Sequence, residues 1–453
     1  MNLRFGARLK TFSEVVLPAK VFTGEKMHEY LIEGGFPIKG SVNASGNKNS
    51  ALPCIAAALL TEEPVILRNI PEIEDTAIML NILQAFGVEA HKLGGGTWKI
   101  EAKTVQCVCI PLELSKKIRA SILFAGSMLA RCGKAEMFPP GGDVIGRRRL
   151  DTHFLALTQL GARVELGSRF TFTANKLIGA DIFLDEASVT ATENALMAAV
   201  LAEGETIITN AAGEPHVQDL CRMLNGMGAQ ITGIGSNILR ITGVEKLHGT
   251  DFEIGPDYME IGSYIGLAAA TKGSIRINGI KSLDLRPLKT GFEKLGISWI
   301  NEDDSIFVNE IQELKTKADF GSLIPKIDDA PWPGFPPDLT SIMTVVATQI
   351  NGTSLIFEKM FESRMFFVDK LISMGAQITL CDPHRAVVSG PTVLHGEHLV
   401  SPDVRAGMAM VIAAMTAHGE SRISNVYQIE RGYEHLVERL QSLGAHIRKA
   451  ELD

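Results

Sequence analysis

A short signature of one glycine between two hydrophobic residues recurs six times along the chain. It stands at Phe86-Gly87-Val88, Leu160-Gly161-Ala162, Met227-Gly228-Ala229, Leu295-Gly296-Ile297, Met374-Gly375-Ala376 and Leu443-Gly444-Ala445. Successive glycines lie 74, 67, 68, 79 and 69 residues apart, a near-regular interval that marks internal repetition. Each signature follows an amphipathic helix pattern, such as residues 433–443, and precedes a short strand pattern such as Gln377-Ile378-Thr379-Leu380. The glycine is placed to end the helix in the left-handed conformation.

A second kind of helix lies upstream in each unit, at 51–60, 120–130, 195–202, 265–270, 343–347 and 408–417. These stretches are apolar on nearly every side and rich in small residues, so they must be buried rather than laid on a surface. Each unit reads as helix, strand, helix, strand, and three units make a domain. Buried helices place the sheets outside. The fold expected is therefore α/β, with two inside-out barrel domains of three repeated units each, and not an ordinary barrel with its strands inside.

With 453 residues, two domains of about 200 residues are expected. Hydrophobic residues make up 45% and charged residues 21%, as in a soluble globular protein, and the net charge of -8 argues against a nucleic-acid partner. The six cysteines (Cys54, Cys107, Cys109, Cys132, Cys221 and Cys381) show no zinc-type spacing, and Cys107 and Cys109 alternate as on a core strand. This pattern implies a reducing cytoplasm and no metal. No apolar run reaches the roughly 18 residues that span a membrane. The first 26 residues hold Arg4, Arg8, Lys10, Lys20 and Lys26 without a sustained apolar stretch, so they are not read as a secretory signal. A leader, a misassigned start before Met27 and a disordered tail all fit them.

Polar residues gather at the beginnings of the helices. The buried helices open on Lys48-Asn49, Arg119, Ser188 to Thr192, Asp257 to Glu260, Asp338, and Asp403 with Arg405; the second helices open near Asp75, Arg148 with Asp151, Glu214, Asp284, Arg364 and Arg431. Charges at buried helix starts are costly unless paired or ligand-bound, and helix N-termini favour anions. In an acidic chain, Lys48, Arg119, Arg148, Arg364, Arg405 and Arg431 together point to an anionic ligand. The loop Pro139-Pro140-Gly141-Gly142-Asp143-Val144-Ile145-Gly146-Arg147-Arg148-Arg149 puts one acid, Asp143, beside those cations, as expected of a lid carrying an acid to an anionic substrate.

The chain resembles the enolpyruvyl transferases, on the branch that uses a nucleotide sugar. The resemblance rests on Gly40-Ser41-Val42, Ser45-Gly46-Asn47-Lys48-Asn49-Ser50-Ala51-Leu52-Pro53, Ile118-Arg119-Ala120-Ser121 and Pro140-Gly141-Gly142. It continues through Ser188-Val189-Thr190-Ala191-Thr192-Glu193-Asn194, Asn210-Ala211-Ala212-Gly213-Glu214-Pro215 and Phe335-Pro336-Pro337-Asp338. Phe361-Glu362-Ser363-Arg364, Asp403-Val404-Arg405-Ala406 and Glu430-Arg431-Gly432-Tyr433-Glu434 complete it, from about residue 31 to the end. It implies a C-terminal-type domain from 28–46 plus 262–453, an N-terminal-type domain at 47–261 carrying the loop 139–149, and an unassigned extension at 1–27.

The resemblance further implies enolpyruvyl transfer from phosphoenolpyruvate to the 3′-hydroxyl of UDP-N-acetylglucosamine. Phosphate is released, and the reaction opens peptidoglycan synthesis in the cytoplasm. The chemistry is addition and elimination through a tetrahedral ketal, with no cofactor or metal. The partners expected are these two small molecules, with no nucleic acid or membrane, in a monomer or weak homo-oligomer. By motif, Lys48, Arg148 and Arg431 hold the phosphate of phosphoenolpyruvate, Arg364 and Arg405 its carboxylate, and Arg119 supports the site. Asp338 accepts the sugar hydroxyl proton and Asn49 binds the sugar. The segment 148–153, with Arg148, Asp151 and His153, frames the uracil, while Ser188, Val189 and Thr190 take the diphosphate.

Four positions depart from the family pattern. Asp143 replaces a cysteine that many members use to deliver a proton to the methylene of phosphoenolpyruvate. A carboxyl can do the same, and losing the thiol that fosfomycin alkylates implies resistance. Arg149 stands where proline is common, Thr190 where glycine is common, and Trp332 where histidine is frequent. These three concern the nucleotide side. They leave open a different nucleotide sugar as acceptor, and the loop exchange leaves open a catalytically silent homologue that binds a nucleotide sugar.

Overall fold

The computed structural model describes residues 28–106, 108–142, 149–280 and 283–452. Among the described residues the strands form six sheets, five of four strands and one of three. Two separate hydrophobic cores lie beneath them. In the first core the helix Phe124–Cys132 packs on both Lys48–Ala57 and Val189–Ala199. In the second, Tyr258–Ala270, Thr340–Ala347 and Val404–Thr416 pack on one another. These are the small-residue apolar helices, and every residue of Tyr258–Ala270 is buried. Each leucine or isoleucine taken from water there contributes about 1.5–3 kcal/mol, which explains why sheets with one polar face, such as Ile238–Thr242, lie outside.

All six signature glycines have positive φ, from 73° at Gly296 to 103° at Gly375. Each ends the helix before it, as expected of a residue without Cβ. One expected helix is shorter than its pattern. Of residues 433–443 only Leu436–Ser442 is helical, because His435 before it adopts a left-handed φ of 45°.

The first strands of the chain join the second domain. His28–Glu33 pairs with Glu420–Ser424 and His446–Glu451, and Lys39–Asn43 runs parallel to Ser274–Asn278. The chain then crosses into the first domain and returns after Thr250–Glu253, which closes a sheet beside Val65–Arg68. The two crossings lie side by side: the Asn47 amide donates to Gly255 O at 2.7 Å and the Asp257 amide to Ser45 O at 2.8 Å. The expected limit between 261 and 262 therefore needs moving. It would cut Tyr258–Ala270, whose Tyr258, Met259 and Ile261 already belong to the second core, and a helix buried along its length cannot be divided between two cores. Among the described residues no helix is long and apolar enough to cross a membrane.

Candidate active site

A cavity of about 320 Å³ lies where the helix starts of both domains meet. Lys48, Asn49, Asp75, Arg119, Ser188, Val189 and Thr190 line it from the first domain, and Asp338, Arg364, Arg405 and Arg431 from the second. The local sequence explains the convergence. Asn47 caps Lys48–Ala57 by accepting the Asn49 amide at 2.8 Å, and Asp403 caps Val404–Thr416 by accepting the Arg405 amide at 2.8 Å. Each cap places a basic residue in the first turn, where the helix opens on the cavity.

Two carboxylates organise four of these cations. Asp338 accepts from Arg364 Nη2 and, at 3.1 Å, from Arg405 Nε. Burial alone would raise its pKa, but the two guanidinium groups outweigh burial and hold it below the usual carboxylate value. Asp75 accepts from Lys48 Nζ at 3.0 Å and from Arg431 Nε at 2.9 Å. It too is held low, with Lys48 and Arg431 overcoming the burial. Asp75 thus ties the first domain to the second, a role that its position near a helix start did not reveal. Among the described residues, Arg364 Nε and Arg405 Nη1 are buried and meet no hydrogen-bond partner. An unsatisfied buried donor costs about 1–3 kcal/mol, more when charged, so an anion seated against these arginines completes what the protein leaves open.

The helix Val189–Ala199 brings its N-terminus to the opposite wall, with Ser188 Oγ accepting the Ala191 amide at 3.4 Å. Two carboxyl groups not expected as site residues, Glu193 and Glu214, also line the cavity. Burial raises both, and for Glu193 the neighbouring Glu214 adds to it. The interval of four from Val189 sets Glu193 on the same helix face and was the available signal. Trp332 meets Tyr258 edge-on at 5.5 Å, and both line the wall.

Two expected site residues do not line the cavity. Asp151 is exposed and pairs with Arg149, whose Nε donates to it at 2.7 Å. His153 is buried: its Nδ1 accepts from Asn194 Nδ2 at 2.8 Å, and its Nε2 lies 3.1 Å from Thr190 Oγ1. Burial, with Arg119 adding to it, lowers its pKa to about 3, so the ring is neutral. His153 is thus packed beneath Thr190 and reaches the cavity wall only through it. Asp143 and Arg148 lie outside the described residues. Among the described residues one group has the spacing to hold a cation, Glu72, Glu434 and His435; it lies outside the cavity lining, and Glu72 already pairs with Lys92.

The loop bearing Asp143 departs from a tightly fitted point. The Gly141 amide donates to Ser115 O at 3.1 Å, and a Cβ on Gly141 would stand 1.7 Å from Lys116 O. The glycine pair thus lets the loop backbone approach the protein's own segment before Arg119. Gly141→Ala is expected to displace both loop and Arg119 and to lower kcat by about 10²-fold, as small misplacements do. Steady-state kinetics beside a melting curve check this; unchanged kcat would contradict it.

Comparison with known proteins agrees with this geometry. Residues 32–440 match the family model for EPSP synthase (3-phosphoshikimate 1-carboxyvinyltransferase). The chain is 68% identical to UDP-N-acetylglucosamine 1-carboxyvinyltransferase of Treponema denticola over 94% of this chain and 100% of that protein. It is 57% identical to the protein of the same name from Borreliella burgdorferi, again over 94% and 100%. Among solved structures, the enolpyruvyl transferase NikO from Streptomyces tendae superimposes with a TM-score of 0.83 at 26% identity, covering 95% of this chain and 100% of that one. EPSP synthase from Acinetobacter baumannii, at 18% identity and a TM-score of 0.73, shares the fold over 94% of this chain and 100% of its own. The chain belongs to the EPSP synthase family.

Proposed function

We propose that the protein transfers the enolpyruvyl group of phosphoenolpyruvate to the 3′-hydroxyl of UDP-N-acetylglucosamine, releasing phosphate as the first step of peptidoglycan synthesis in the cytoplasm. The observation that carries this reading is the cluster of basic side chains at the domain seam, with two buried arginine N–H groups that meet no partner among the described residues. It is supported by relatives of that name at 57–68% identity over nearly their whole length.

Phosphoenolpyruvate presents two anions. Its carboxylate takes Arg364 and Arg405, and its phosphate takes Lys48, Arg431 and Arg148. Asp338 then receives the proton of the 3′-hydroxyl as that oxygen attacks C2, while Asp143 delivers a proton to C3. In the resulting ketal, C2 carries a methyl group, the sugar oxygen, the carboxylate and the phosphate. Loss of a proton from the methyl and cleavage of the C2–O bond to phosphorus give the enol ether and free phosphate. The cations stabilise the charge that gathers on the leaving phosphate.

The ion pairs also account for when Asp338 acts. Held by two guanidinium groups it is a poor base. A substrate carboxylate that shares those groups restores its proton affinity, so the donor prepares the base. Ser188, Val189 and Thr190 take the diphosphate at the helix N-terminus, and Asn49 the sugar.

Incubation with both substrates, followed by mass analysis of the nucleotide, tests the reading: a UDP-sugar heavier by one enolpyruvyl group is expected, and an unaltered acceptor would contradict it. Arg364→Lys should raise KM for phosphoenolpyruvate by about 10- to 100-fold, because a charge-assisted contact of roughly 1.5–3 kcal/mol is lost. KM for the acceptor should rise less, since the contacts proposed for Asn49 and Ser188 to Thr190 do not involve Arg364, although its pairing with Asp338 couples the two sites. Equal rises in both constants would place Arg364 elsewhere.

A further inference from the structure

Outside the cavity lining, two carboxyl groups lie side by side next to the turn that leads to Arg364. Asp329 and Glu358 directly follow the parallel strands Lys326–Asp328 and Gly352–Phe357, in which Asp328 is paired with Phe357. Both residues are fully buried. Asp329 Oδ1 accepts the Lys359 amide at 2.5 Å, and Glu358 Oε1 accepts the Phe361 amide at 3.1 Å. The Met360 amide is shared, 3.2 Å from Asp329 Oδ2 and 3.3 Å from Glu358 Oε1. One N–H serving two carboxyl oxygens sets the groups against each other. The turn they grip continues into Arg364, whose guanidinium stacks on the Phe361 ring at 4.7 Å.

Two ionised carboxylates cannot share such a buried place without a countercharge. Of the described groups facing the pair, Arg364 is the one that supplies a countercharge, and it shares that charge with Asp338. Lys359 Nζ reaches Asp328 at 3.0 Å instead, and the His384 ring meets the Glu358 carbonyl, at 2.8 Å, and not its carboxyl. The Thr340 hydroxyl is uncharged, and Arg364 is already engaged by Asp338. Asp338 and Asp403 also act on Arg364. Burial raises Glu358 first, Arg364 draws it back and Asp329 raises it again, leaving it at about 8.

We propose that Glu358 keeps a proton beside Asp329 and that the two side chains act together as a positioning pair for Arg364, so that losing this proton in alkaline solution weakens binding of the anionic donor. The proposal rests on the assignment of Arg364 to the carboxylate of phosphoenolpyruvate. With the proton gone, the two carboxylates repel, the turn loses part of its hold, and the extra negative charge draws Arg364 from its ligand. Glu358→Gln mimics the protonated state: its amide donates to Asp329 while its oxygen still accepts the two backbone N–H groups. Asp329→Asn removes the carboxylate beside Glu358, so that ionisation of Glu358 sets no like charge against it.

The test is KM for phosphoenolpyruvate at saturating UDP-N-acetylglucosamine, measured from about pH 7 to about pH 9.5 for the wild type and both variants. The wild-type KM should rise by about tenfold with a smaller change in kcat, whereas the variants should stay within about threefold, having either no proton to release at Glu358 or no like charge beside it. Wild-type turnover with the same alkaline rise in both variants would overturn the pair while leaving the site assignment standing. Loss of donor affinity at neutral pH in both variants, with native circular dichroism, would overturn it too, by showing a merely structural role. Absence of wild-type turnover would instead remove the donor assignment itself, and the proposal with it.

Discussion

Asp338→Asn is expected to lower kcat by about 10²- to 10⁴-fold, the range for loss of a positioned general base. Asparagine keeps the shape of the side chain and can still accept a hydrogen bond from Arg364 or Arg405, but it cannot take the hydroxyl proton. KM for phosphoenolpyruvate should not rise. In the wild type, Asp338 holds the two arginines that the proposed site assigns to the donor carboxylate, and an uncharged amide should compete for them less. A split between kcat and KM therefore separates loss of the base from general damage. The variant also leaves two buried guanidinium groups without their countercharge, at a cost of about 3–5 kcal/mol, so its melting temperature belongs beside the kinetics. Added phosphoenolpyruvate should restore part of the lost stability, because it binds only the folded state. A well-folded variant turning over within about threefold of the wild type would remove Asp338 from the role of base.

Asp143→Asn is expected to reduce turnover by about 10²- to 10⁴-fold, as loss of a general acid does. The donor methylene needs a proton, and the loop offers no other acid: its neighbours are Gly142, Val144, Ile145, Gly146 and three arginines. Asp143→Cys should keep measurable activity and become sensitive to fosfomycin, to which the wild type should be indifferent. The two substitutions test different parts of the assignment. If the asparagine variant remains fully active, Asp143 is not the acid. If the cysteine variant is active but still resists the drug, the side chain does not stand where the thiol of other members acts.

Much of the fold was legible because it rests on local chemistry repeated six times. Gly87, Gly161, Gly228, Gly296, Gly375 and Gly444 each end a helix at positive φ, a demand that one residue type meets at no steric cost. The buried helices declared themselves by lacking a polar face, as Tyr258–Ala270 does. The cationic set was legible for a related reason. Lys48, Arg119 and Arg405 stand at the starts of apolar helices, where a charge has no structural excuse unless something anionic meets it.

What escaped the sequence depends on partners far along the chain. Asp75 reads as an ordinary acid in a first helical turn until the fold brings it to Arg431, 356 residues away. His153 lies within a motif-bearing segment, but the packing of Asp151–Gln159 on Val189–Ala199 buries it against Asn194 and Thr190. Glu358 and Asp329 meet only because two parallel strands end together. The limit between the domains was misplaced by a few residues for the same reason, since side-chain pattern alone does not say which core receives Tyr258 and Met259.

The central claim is that this cavity joins an enolpyruvyl group to a UDP-sugar, and phosphate release measures it most directly. The protein is incubated with phosphoenolpyruvate, with UDP-N-acetylglucosamine either present or withheld, and free phosphate is followed over time. Sustained release that depends on the UDP-sugar, and is lost in Asp338→Asn, is the predicted result. No release with both substrates present, or release only with a different acceptor, would contradict it.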